Sequence, residues 1–401
     1  MKHNIHWLID GIYRKIVFWY GFIRVDFFRL IAYLLRSRFN SKHYWVLHER
    51  GDDAQDNAWH LLRYIRREHP EQNVVYAIRK SSKDYISNLA DYQDVVVEYD
   101  SFRYYMILFN ADAVVTTHYQ TTLWPHNLLM TQKSKNRLKI NAKRVFLQHG
   151  VTRHRINALS YPNLGADIFV CGAKIEYELM TSEGMNYSPS IAKYTGFARF
   201  DNLWNNDEKN QILVMPTWRM MYSTMTNDEF AQTDFFRFYH DVLTDDRLLD
   251  ALKRHKFTVA YYNHYEFQKF NACFQTIESE NVQLVKFGSI RVQELLKQSK
   301  ILMTDFSSIY YDFLYMGKPV VFAALDEKAF SATQYGKRYD GSLSDFGYTT
   351  KDVDDAVTTF IRLLDTGCQL EDKFKQQQSR VFPMRDQHNC ERIYTVIKEI
   401  V

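Results

Sequence analysis

The chain has 401 residues, more than one ordinary hydrophobic core accommodates, which indicates two domains of roughly 150–200 residues each. Aromatic residues make up 16% of the chain and there are only 7 Pro and 14 Gly, so the composition excludes a disordered or low-complexity protein. The four cysteines are far apart and form no C-x-x-C pair. Their spacing argues against a disulfide framework or a zinc site and favours a reducing cytoplasm.

The formal charge of +4 is unevenly distributed along the chain. Residues 1–42 contain eight Lys and Arg and two Asp, a net charge of +6, so the remaining residues together carry −2. The longest uncharged run in this segment, residues 16–23, is far shorter than the roughly twenty residues that cross a bilayer, and no small-residue cleavage site follows. Apolar residues at three- and four-residue steps predict one stripe on a helix: Ile12, Ile16, Trp19, Ile23, Phe27, Leu30 and Leu34.

Two interpretations of residues 1–42 follow from this pattern. An amphipathic helix can pack on the protein's own core, which is the commoner arrangement in globular proteins. It can instead lie among lipid headgroups, with Trp19, Phe22 and Phe27 inserted and its arginines facing anionic lipid. The concentration of charge and aromatic rings favours a membrane-associating segment. Nucleic-acid binding is disfavoured because the rest of the chain has no excess of positive charge.

After residue 42, short β-rich runs alternate with helical patterns such as DNAWHLLRYIRREHP, SFRYYMILFN, VQELLKQS and SSIYYDFLYMG. The runs predicted as strands are KHYWVLHER, NVVYAIRK, DVVVEYD, ADAVVTTH, AKRVFLQHG and ADIFVCG, then QILVMPTWR, KFTVAYYNH, VQLVKFG, KILMTD and KPVVFAA. Alternating strands and helices predict parallel, doubly wound sheets. We therefore predict an α/β protein of the GT-B architecture, with two Rossmann-like domains facing a cleft.

The predicted domains are residues 43–203 and residues 204–401, with a polar linker near residues 201–211. The last helix of the second domain can pack back on the first. Neither G-x-G-x-x-G nor G-x-x-x-x-G-K-[ST] follows a predicted strand, so a dinucleotide redox cofactor has no support. No carboxylate cluster has metal-ligand spacing. We predict no required cofactor and no protein-bound metal, and leave open a loosely bound Mg²⁺ on a substrate pyrophosphate.

Polar residues follow several predicted strands. Because the carboxyl ends of parallel strands share one edge of a sheet, residues from both domains can face each other across the cleft. The set comprises His118, His149 and Gly150 in the first domain and Thr217, Arg219, Asn263, His264, Asp305, Ser307 and Ser308 in the second.

Each of these residues has a structural alternative. His149, before a glycine at a strand exit, can serve as a general base, although a lone histidine is more often structural. Arg219 can clamp phosphate oxygens with its planar fork or form a surface ion pair. His264 is either a second phosphate ligand or a helix cap. Ser307 and Ser308 begin a predicted helix, where hydroxyls and free N–H groups can cap the helix and bind phosphate together.

Three of these stretches, in order, resemble one family. VFLQHGVT, VMPTWR and TDFSSIYYDF followed by GKPVVFAALDE are similar to motifs of the CDP-glycerol glycerophosphotransferases, the teichoic-acid primases and polymerases of the GT-B class. RGDDAQDNAWHLLRYIRREHPE, CGAKIEYELM and TGFARFDNL extend the resemblance from about residue 44 to the C-terminus. Two stretches depart from the family pattern: Asn263-His264-Tyr265, where the family often has histidine and proline, and FPMRDQHNCERI.

The resemblance implies transfer of glycerol phosphate or ribitol phosphate from a CDP-alcohol to a hydroxyl of a lipid-linked, capsular or teichoic-type glycan, with release of CMP. It implies a cytoplasmic enzyme, peripheral on the inner face of the cell membrane, with a polyprenyl-linked or polysaccharide acceptor. His149 would deprotonate the acceptor. The implied catalytic residues are His149 and His264; the donor-binding residues are Arg219, Thr304, Asp305, Ser307 and Ser308; the supporting residues are Gly150, Thr217 and Asp312.

Asp312 is expected to anchor its own helix.

Two other functions stay open. A GT-B glycosyltransferase that uses a nucleotide-diphosphate sugar could be built on the same strand ends. A non-catalytic module recruited to membranes, with a vestigial cleft, is the third hypothesis. The nucleotide released on turnover distinguishes them.

Overall fold

The computed structural model describes residues 2–39, 42–125, 128, 138–204, 207–263, 265–277, 280–326 and 341–401, with side chains from residue 18 onward except those of Tyr265 and Thr276. Two sheets, each entirely parallel, follow one another along the chain. The first has the order β3-β2-β1-β4-β5-β6-β7 and the second β10-β9-β8-β11-β12-β13. The strands are β1 (Trp45–His48), β2 (Val74–Ile78), β3 (Val96–Glu98), β4 (Ala113–Thr116), β5 (Lys143–Phe146), β6 (Ile168–Cys171), β7 (Ala192–Tyr194), β8 (Gln211–Val214), β9 (Thr258–Tyr261), β10 (Val282–Leu284), β11 (Ile301–Thr304), β12 (Val320–Ala323) and β13 (Tyr348–Thr350).

Both sheets reverse strand order after their first strand, as in a Rossmann fold, so the predicted pair of doubly wound domains is confirmed. Most strands are buried on both faces, which is why they read as unbroken apolar runs in the sequence. Two strands were not predicted. β7 and β13 are three-residue edge strands with the polar sequences AKY and YTT. They are too short for their sequences to show the apolar pattern of a strand.

Helices cover the sheets and connect the strands. Those of seven residues or more in the described chain are α1 (Lys2–Leu34), α2 (Asn57–Glu68), α3 (Phe102–Leu108), α4 (Lys174–Met180), α5 (Asp234–Thr244), α6 (Asp246–His255), α7 (Val292–Gln298), α8 (Tyr310–Met316), α9 (Val353–Asp365), α10 (Asp372–Val381) and α11 (Asn389–Lys398). Shorter helices occupy Arg36–Phe39, Lys83–Ile86, Tyr161–Leu164, Asn227–Ala231 and Asn271–Phe274.

Helix α1 has two apolar faces. One face, with buried Phe22 and Val25, packs on α3, where the Phe28 ring lies 5.4 Å from that of Tyr105. The other face is the predicted stripe, whose members are between 56% and 69% exposed: Trp19, Ile23, Phe27, Leu30 and Leu34. The side chains of Ile12 and Ile16 lie outside the described ones. None of the described helices combines the length and the low charge that a bilayer span requires.

The last helix, α11, joins the two halves. The Tyr394 ring stacks on His69 of the first half with ring centroids 3.7 Å apart. At the start of α11, the backbone N–H groups of Asn389 and Cys390 donate to the Asp201 carboxylate at 2.9 and 2.8 Å. One buried apolar cluster also continues from the first half into the second. The strand ends of the two halves are therefore held opposite each other by a shared core.

Close packing at Gly196 gives a test of this docking. Gly196 has a φ of +76°, and a Cβ on it would lie 1.8 Å from Asn389 Oδ1 of α11. Gly184 is a matched control, with a φ of +92° and open space around the added atom. We expect Gly184→Ala to lower the free energy of unfolding by about 1 kcal/mol through backbone strain alone. Gly196→Ala should cost about 1–3 kcal/mol more because it also overpacks the junction.

Urea denaturation of the two variants measures this difference. An equal loss of unfolding free energy in Gly184→Ala and Gly196→Ala would contradict the docking of α11 against Gly196.

Candidate active site

The exits of β5 and β11 approach each other closely where the two halves meet. A Cβ added to Gly150, after β5, would lie 2.6 Å from the Ser308 hydroxyl oxygen, after β11. Ser307 and Ser308 are half-buried, and the neighbouring His149 side chain is exposed. The structure therefore brings together His149, Gly150 and the two serines, as the sequence analysis expected.

A buried polar network positions His149. The preceding residue, Gln148, has a φ of +58°, a left-handed conformation that turns the chain out of the strand. Its carbonyl accepts a 2.6 Å hydrogen bond from Asn57 Nδ2, and its side-chain oxygen accepts the His149 N–H at 3.0 Å. Its side-chain nitrogen donates to Thr152 Oγ1 at 2.8 Å. Sequence reasoning missed Gln148 and Asn57, although Asn57 belongs to the DN pair of the family-like segment.

His149 carries an uncharged imidazole at neutral pH. Its side chain is exposed at the cleft, but the protein atoms packed around it still lower its pKa below the usual histidine value, and the positive charge of Arg199 adds to this effect. The ring of His118 stacks on that of His149 at 4.8 Å, and burial lowers the pKa of His118 to about 2. The nearby Thr117 carbonyl acts in the opposite direction and raises the pKa of His149. A neutral imidazole keeps a lone pair on one ring nitrogen, as a general base requires.

Arg199 connects the first half to α8. Its Nε and Nη2 donate to the two carboxylate oxygens of Asp312 at 2.9 and 3.0 Å. Its Nη1 lies 3.4 Å from Asp56 Oδ1, and its backbone N–H donates to Asn57 Oδ1 at 3.1 Å. Burial opposes the charge of Arg199, but Asp312 and Asp56 raise its pKa. The expectation that Asp312 anchors its own helix was wrong, because its carboxylate holds α8 to the other half.

Arg219 ties together three loops of the second half. Its Nη2 donates to Asp305 Oδ2 at 2.8 Å, its Nε and Nη2 donate to Asp326 at 2.8 Å, and its Nη1 donates to the Thr217 carbonyl at 2.7 Å. The other oxygen of Asp305 accepts the Thr217 N–H at 2.9 Å. Arg219 is only 2% exposed. It therefore does not form a surface ion pair, and its guanidinium group is not open to solvent.

Thr304 has a similar structural contact, since its buried hydroxyl donates to the Met215 carbonyl at 2.8 Å and joins β11 to β8. In this arrangement Thr304, Asp305 and Arg219 shape the strand ends. A direct contact of these three residues with the donor stays a prediction. His264 lies outside the described residues.

The two serines do not cap α8, contrary to the sequence-based expectation. The helix begins at Tyr310, and Ile309 occupies the N-cap position without a side-chain hydrogen bond. The chain makes an extra turn first, in which the Ser308 carbonyl accepts the Tyr311 N–H at 3.1 Å. Ser307 Oγ accepts only a long contact, 3.4 Å, from the Ile309 N–H. Neither serine hydroxyl oxygen therefore accepts a capping hydrogen bond from the first turn of α8.

Several buried polar atoms at strand ends have no hydrogen-bond partner among the described residues, and Arg153 Nη1, Thr217 Oγ1 and Asn263 Oδ1 are among them. Arg153 is 5% exposed and its guanidinium lies 5.5 Å from the ring of Tyr310, two residues after Ser308. An unsatisfied buried polar atom costs about 1–3 kcal/mol, and a polar ligand bound at these strand ends would supply the missing partners. No three metal-ligating side chains converge within the described part of the chain.

Comparison with known proteins gives a family and a fold. A family model described as CDP-Glycerol:Poly(glycerophosphate) glycerophosphotransferase matches residues 29–399. The minor teichoic acid biosynthesis protein GgaB of Bacillus subtilis (strain 168) is 29% identical over 374 residues, which cover 90% of this chain and 40% of GgaB. The chain thus spans about two fifths of that relative's length.

Two solved structures share the fold. The wall teichoic acid polymerase TagF matches with a TM-score of 0.67 at 16% identity, over 98% of each chain. The S. aureus protein MnaA, solved with UDP, matches with a TM-score of 0.53 at 15% identity, over 89% of this chain and 97% of MnaA.

The approach of Gly150 to Ser308 can be tested with a double-mutant cycle. Gly150→Ala should lower the free energy of unfolding by about 1–3 kcal/mol, because the new methyl group meets the Ser308 hydroxyl. In a Ser308→Ala background the nearest atom is the Ser308 Cβ at 3.6 Å, an ordinary contact. The same substitution should then cost little, giving a coupling energy of about 1 kcal/mol or more.

Thermal and urea unfolding of the four proteins measure the coupling. An equal cost of Gly150→Ala in both backgrounds would show that the two loops are not in contact.

Proposed function

The chain belongs to the CDP-glycerol:poly(glycerophosphate) glycerophosphotransferase family, and from that premise we propose that it transfers a polyol phosphate from a CDP-alcohol to a glycan hydroxyl, releasing CMP. The polyol is glycerol or ribitol, and the acceptor is a teichoic-type or capsular glycan. One observation carries the proposal: the uncharged His149, with a free lone pair, lies next to Gly150 in contact range of Ser308 from the other half.

The reaction needs a general base for the acceptor hydroxyl, which the first half supplies, and groups that bind the donor phosphates. His149 takes the proton of the acceptor hydroxyl as its oxygen forms a bond to the phosphorus of the polyol phosphate. The bond from that phosphorus to the bridging oxygen of the pyrophosphate breaks, and CMP leaves with the bonding electrons. The proton stays on the imidazole until a later exchange with solvent.

Side chains from both halves can donate hydrogen bonds to the pyrophosphate. Ser307, Ser308 and Thr217 of the second half offer hydroxyls, and Arg153 of the first half offers its unsatisfied guanidinium nitrogen. A charged donor such as the Arg153 guanidinium favours phosphate oxygens strongly because it is already desolvated. Arg219 would act through Asp305 and Thr217 by keeping the loops in place. A role for His264 as a second catalytic residue rests on the resemblance alone.

The fold relatives are compatible with nucleotide donors of two kinds. TagF has been solved as a histidine variant soaked with CDPG, and MnaA with UDP. A glycosyltransferase that uses a nucleotide-diphosphate sugar therefore remains the alternative. Release of CMP from CDP-glycerol or CDP-ribitol, against release of UDP or GDP from a sugar nucleotide, decides between the two reactions.

We further propose that α1 holds the enzyme on an anionic membrane, on the cytoplasmic side, where a polyprenyl-linked acceptor is available. The predicted stripe faces away from the protein, whereas the opposite face of α1 already covers α3. An exposed apolar stripe beside arginines suits the boundary between headgroups and acyl chains.

His149→Ala tests the catalytic proposal. We expect donor binding to stay nearly intact and kcat to fall by about 10²–10⁴-fold, the usual contribution of a general base. His240→Ala, a half-buried histidine on α5, is the control and should keep the wild-type rate. Calorimetric titration with the CDP-alcohol and single-turnover CMP release measure the two quantities separately.

The pH dependence gives a second readout of the same residue. The neutral imidazole is the active form, so activity is present above the pKa of His149 and is lost as pH falls through it. The acid limb of kcat/KM should lie below the usual histidine pKa of about 6.5, and His149→Ala should lack it. Wild-type turnover in His149→Ala would make this histidine structural.

Membrane attachment is tested by substitutions on the exposed face of α1. Ile23→Asp with Phe27→Asp should reduce co-sedimentation with anionic vesicles by about tenfold or more, because two apolar side chains no longer enter the lipid. Ile86→Asp is the control, since Ile86 is 70% exposed on another helix. Unchanged sedimentation of the double variant would contradict the proposal.

A further inference from the structure

Two adjoining hollows on the first half link α1 to the neighbourhood of His118. The larger, about 1070 Å³, starts at Tyr119 and Gln120, directly after His118, and reaches residues 138–144. The smaller, about 690 Å³, shares Lys139, Ile140, Asn141 and Lys143 with it and ends at Arg29, Tyr33 and Arg36 of α1. We call the two together the basic trough.

The basic trough carries an excess of positive charge. Lys139 and Lys143 are exposed where the two hollows meet, and within the described chain neither forms an ion pair. Arg36 also lines the trough, with its guanidinium 4.5 Å from the Tyr33 ring.

The two acids of the lining are already paired. Asp167 accepts from Arg144 at 3.3 Å, and Asp112 lies 2.7 Å from a ring nitrogen of His43. Lys139, Lys143, Arg36 and the paired Arg144 still outnumber these two carboxylates in the lining.

One end of the trough adjoins the catalytic histidine. The Tyr119 ring lies 6.2 Å from that of Phe146, the last residue of the strand that leads to His149. His118, which precedes Tyr119, stacks on His149. The other end lies under α1, whose outer face is the proposed membrane contact. The trough thus runs from α1 to Tyr119, the residue directly after the histidine that stacks on His149.

We propose that the basic trough is the binding track for an anionic acceptor chain. The chain's phosphodiesters lie along Lys139, Lys143 and Arg36, its lipid-linked end is at α1, and its terminal hydroxyl reaches His149. This inference rests on the proposed function. A polyol phosphate polymer has one negative charge per unit, and flexible lysines bind such a backbone without reading its sequence. Affinity should therefore increase with the number of phosphates and decrease with salt.

The test is charge reversal in the middle of the trough, with Lys139→Glu combined with Lys143→Glu. The acceptors are a single glycerol phosphate unit and a soluble oligomer of several units, and a fluorescently labelled oligomer is used to measure Kd directly. We expect KM and Kd for the oligomer to rise by about tenfold or more, with a change below about twofold for the single unit, because only the oligomer spans the lysines. The donor KM should stay unchanged.

The matched control is Lys253→Glu with Lys256→Glu, two exposed lysines on the other half, and it should leave every quantity unchanged. Wild-type oligomer affinity in the trough variant would overturn the proposal, as would equal effects on the oligomer and the single unit. Loss of vesicle binding with normal oligomer affinity would also overturn it, since the lysines would then contact lipid headgroups. If the wild type releases no CMP, the proposed function fails, and the Kd measurement still decides on the trough.

Discussion

The Arg199 guanidinium is the group on which the geometry of the cleft depends. It lies between the halves, with Asp312 of α8 on one side and Asp56 on the other. Through its backbone it also fixes Asn57, whose side chain holds the residue before His149. A buried ion pair adds little net stability, but removing one partner costs about 3–5 kcal/mol because a charge is left unpaired. The ion pair between Arg199 and Asp312 therefore favours one arrangement of the two halves.

The same arginine influences the chemistry. Its charge, together with the surrounding protein atoms, keeps His149 neutral, and it adds positive potential to the cleft proposed to bind an anionic donor. Negative charge beside an imidazole raises the pKa of the imidazole. We therefore expect donor binding to make His149 a stronger base than it is in the free enzyme. The cleft would then strengthen its base only when a substrate is present to use it.

The parts of the fold that the sequence predicted are those with a local signal. The buried strands, the alternation with helices and the polar residues after strands are all visible within windows of about ten residues. His149 and the serines were identified because they follow such strands. The edge strands β7 and β13 were missed because three residues carry no periodicity.

The missed parts of the site are contacts between distant segments. Arg199 and Asp312 are separated by 113 positions, and Asn57 and Gln148 by 91. In the sequence, the Asp312 carboxylate, four residues after Ser308, is typical of a contact within its own helix. Only the structure shows that its partner, Arg199, comes from the other half. The extra turn before Tyr310 has the same character, since it lies where Ser308 approaches Gly150 of the other half.

Helix α1 has a further consequence through its inner face. Phe22, Val25 and Phe28 pack on the same half that bears His149, so α1 is a rigid mount and not a flexible tether. A protein attached through a packed helix keeps one orientation and one height above the lipid surface. A protein attached through a flexible segment adopts many orientations and heights. With α1 on the membrane as proposed, His149 would lie at a constant distance from the bilayer, and an acceptor chain that outgrows this distance would present its end only by bending back toward the surface.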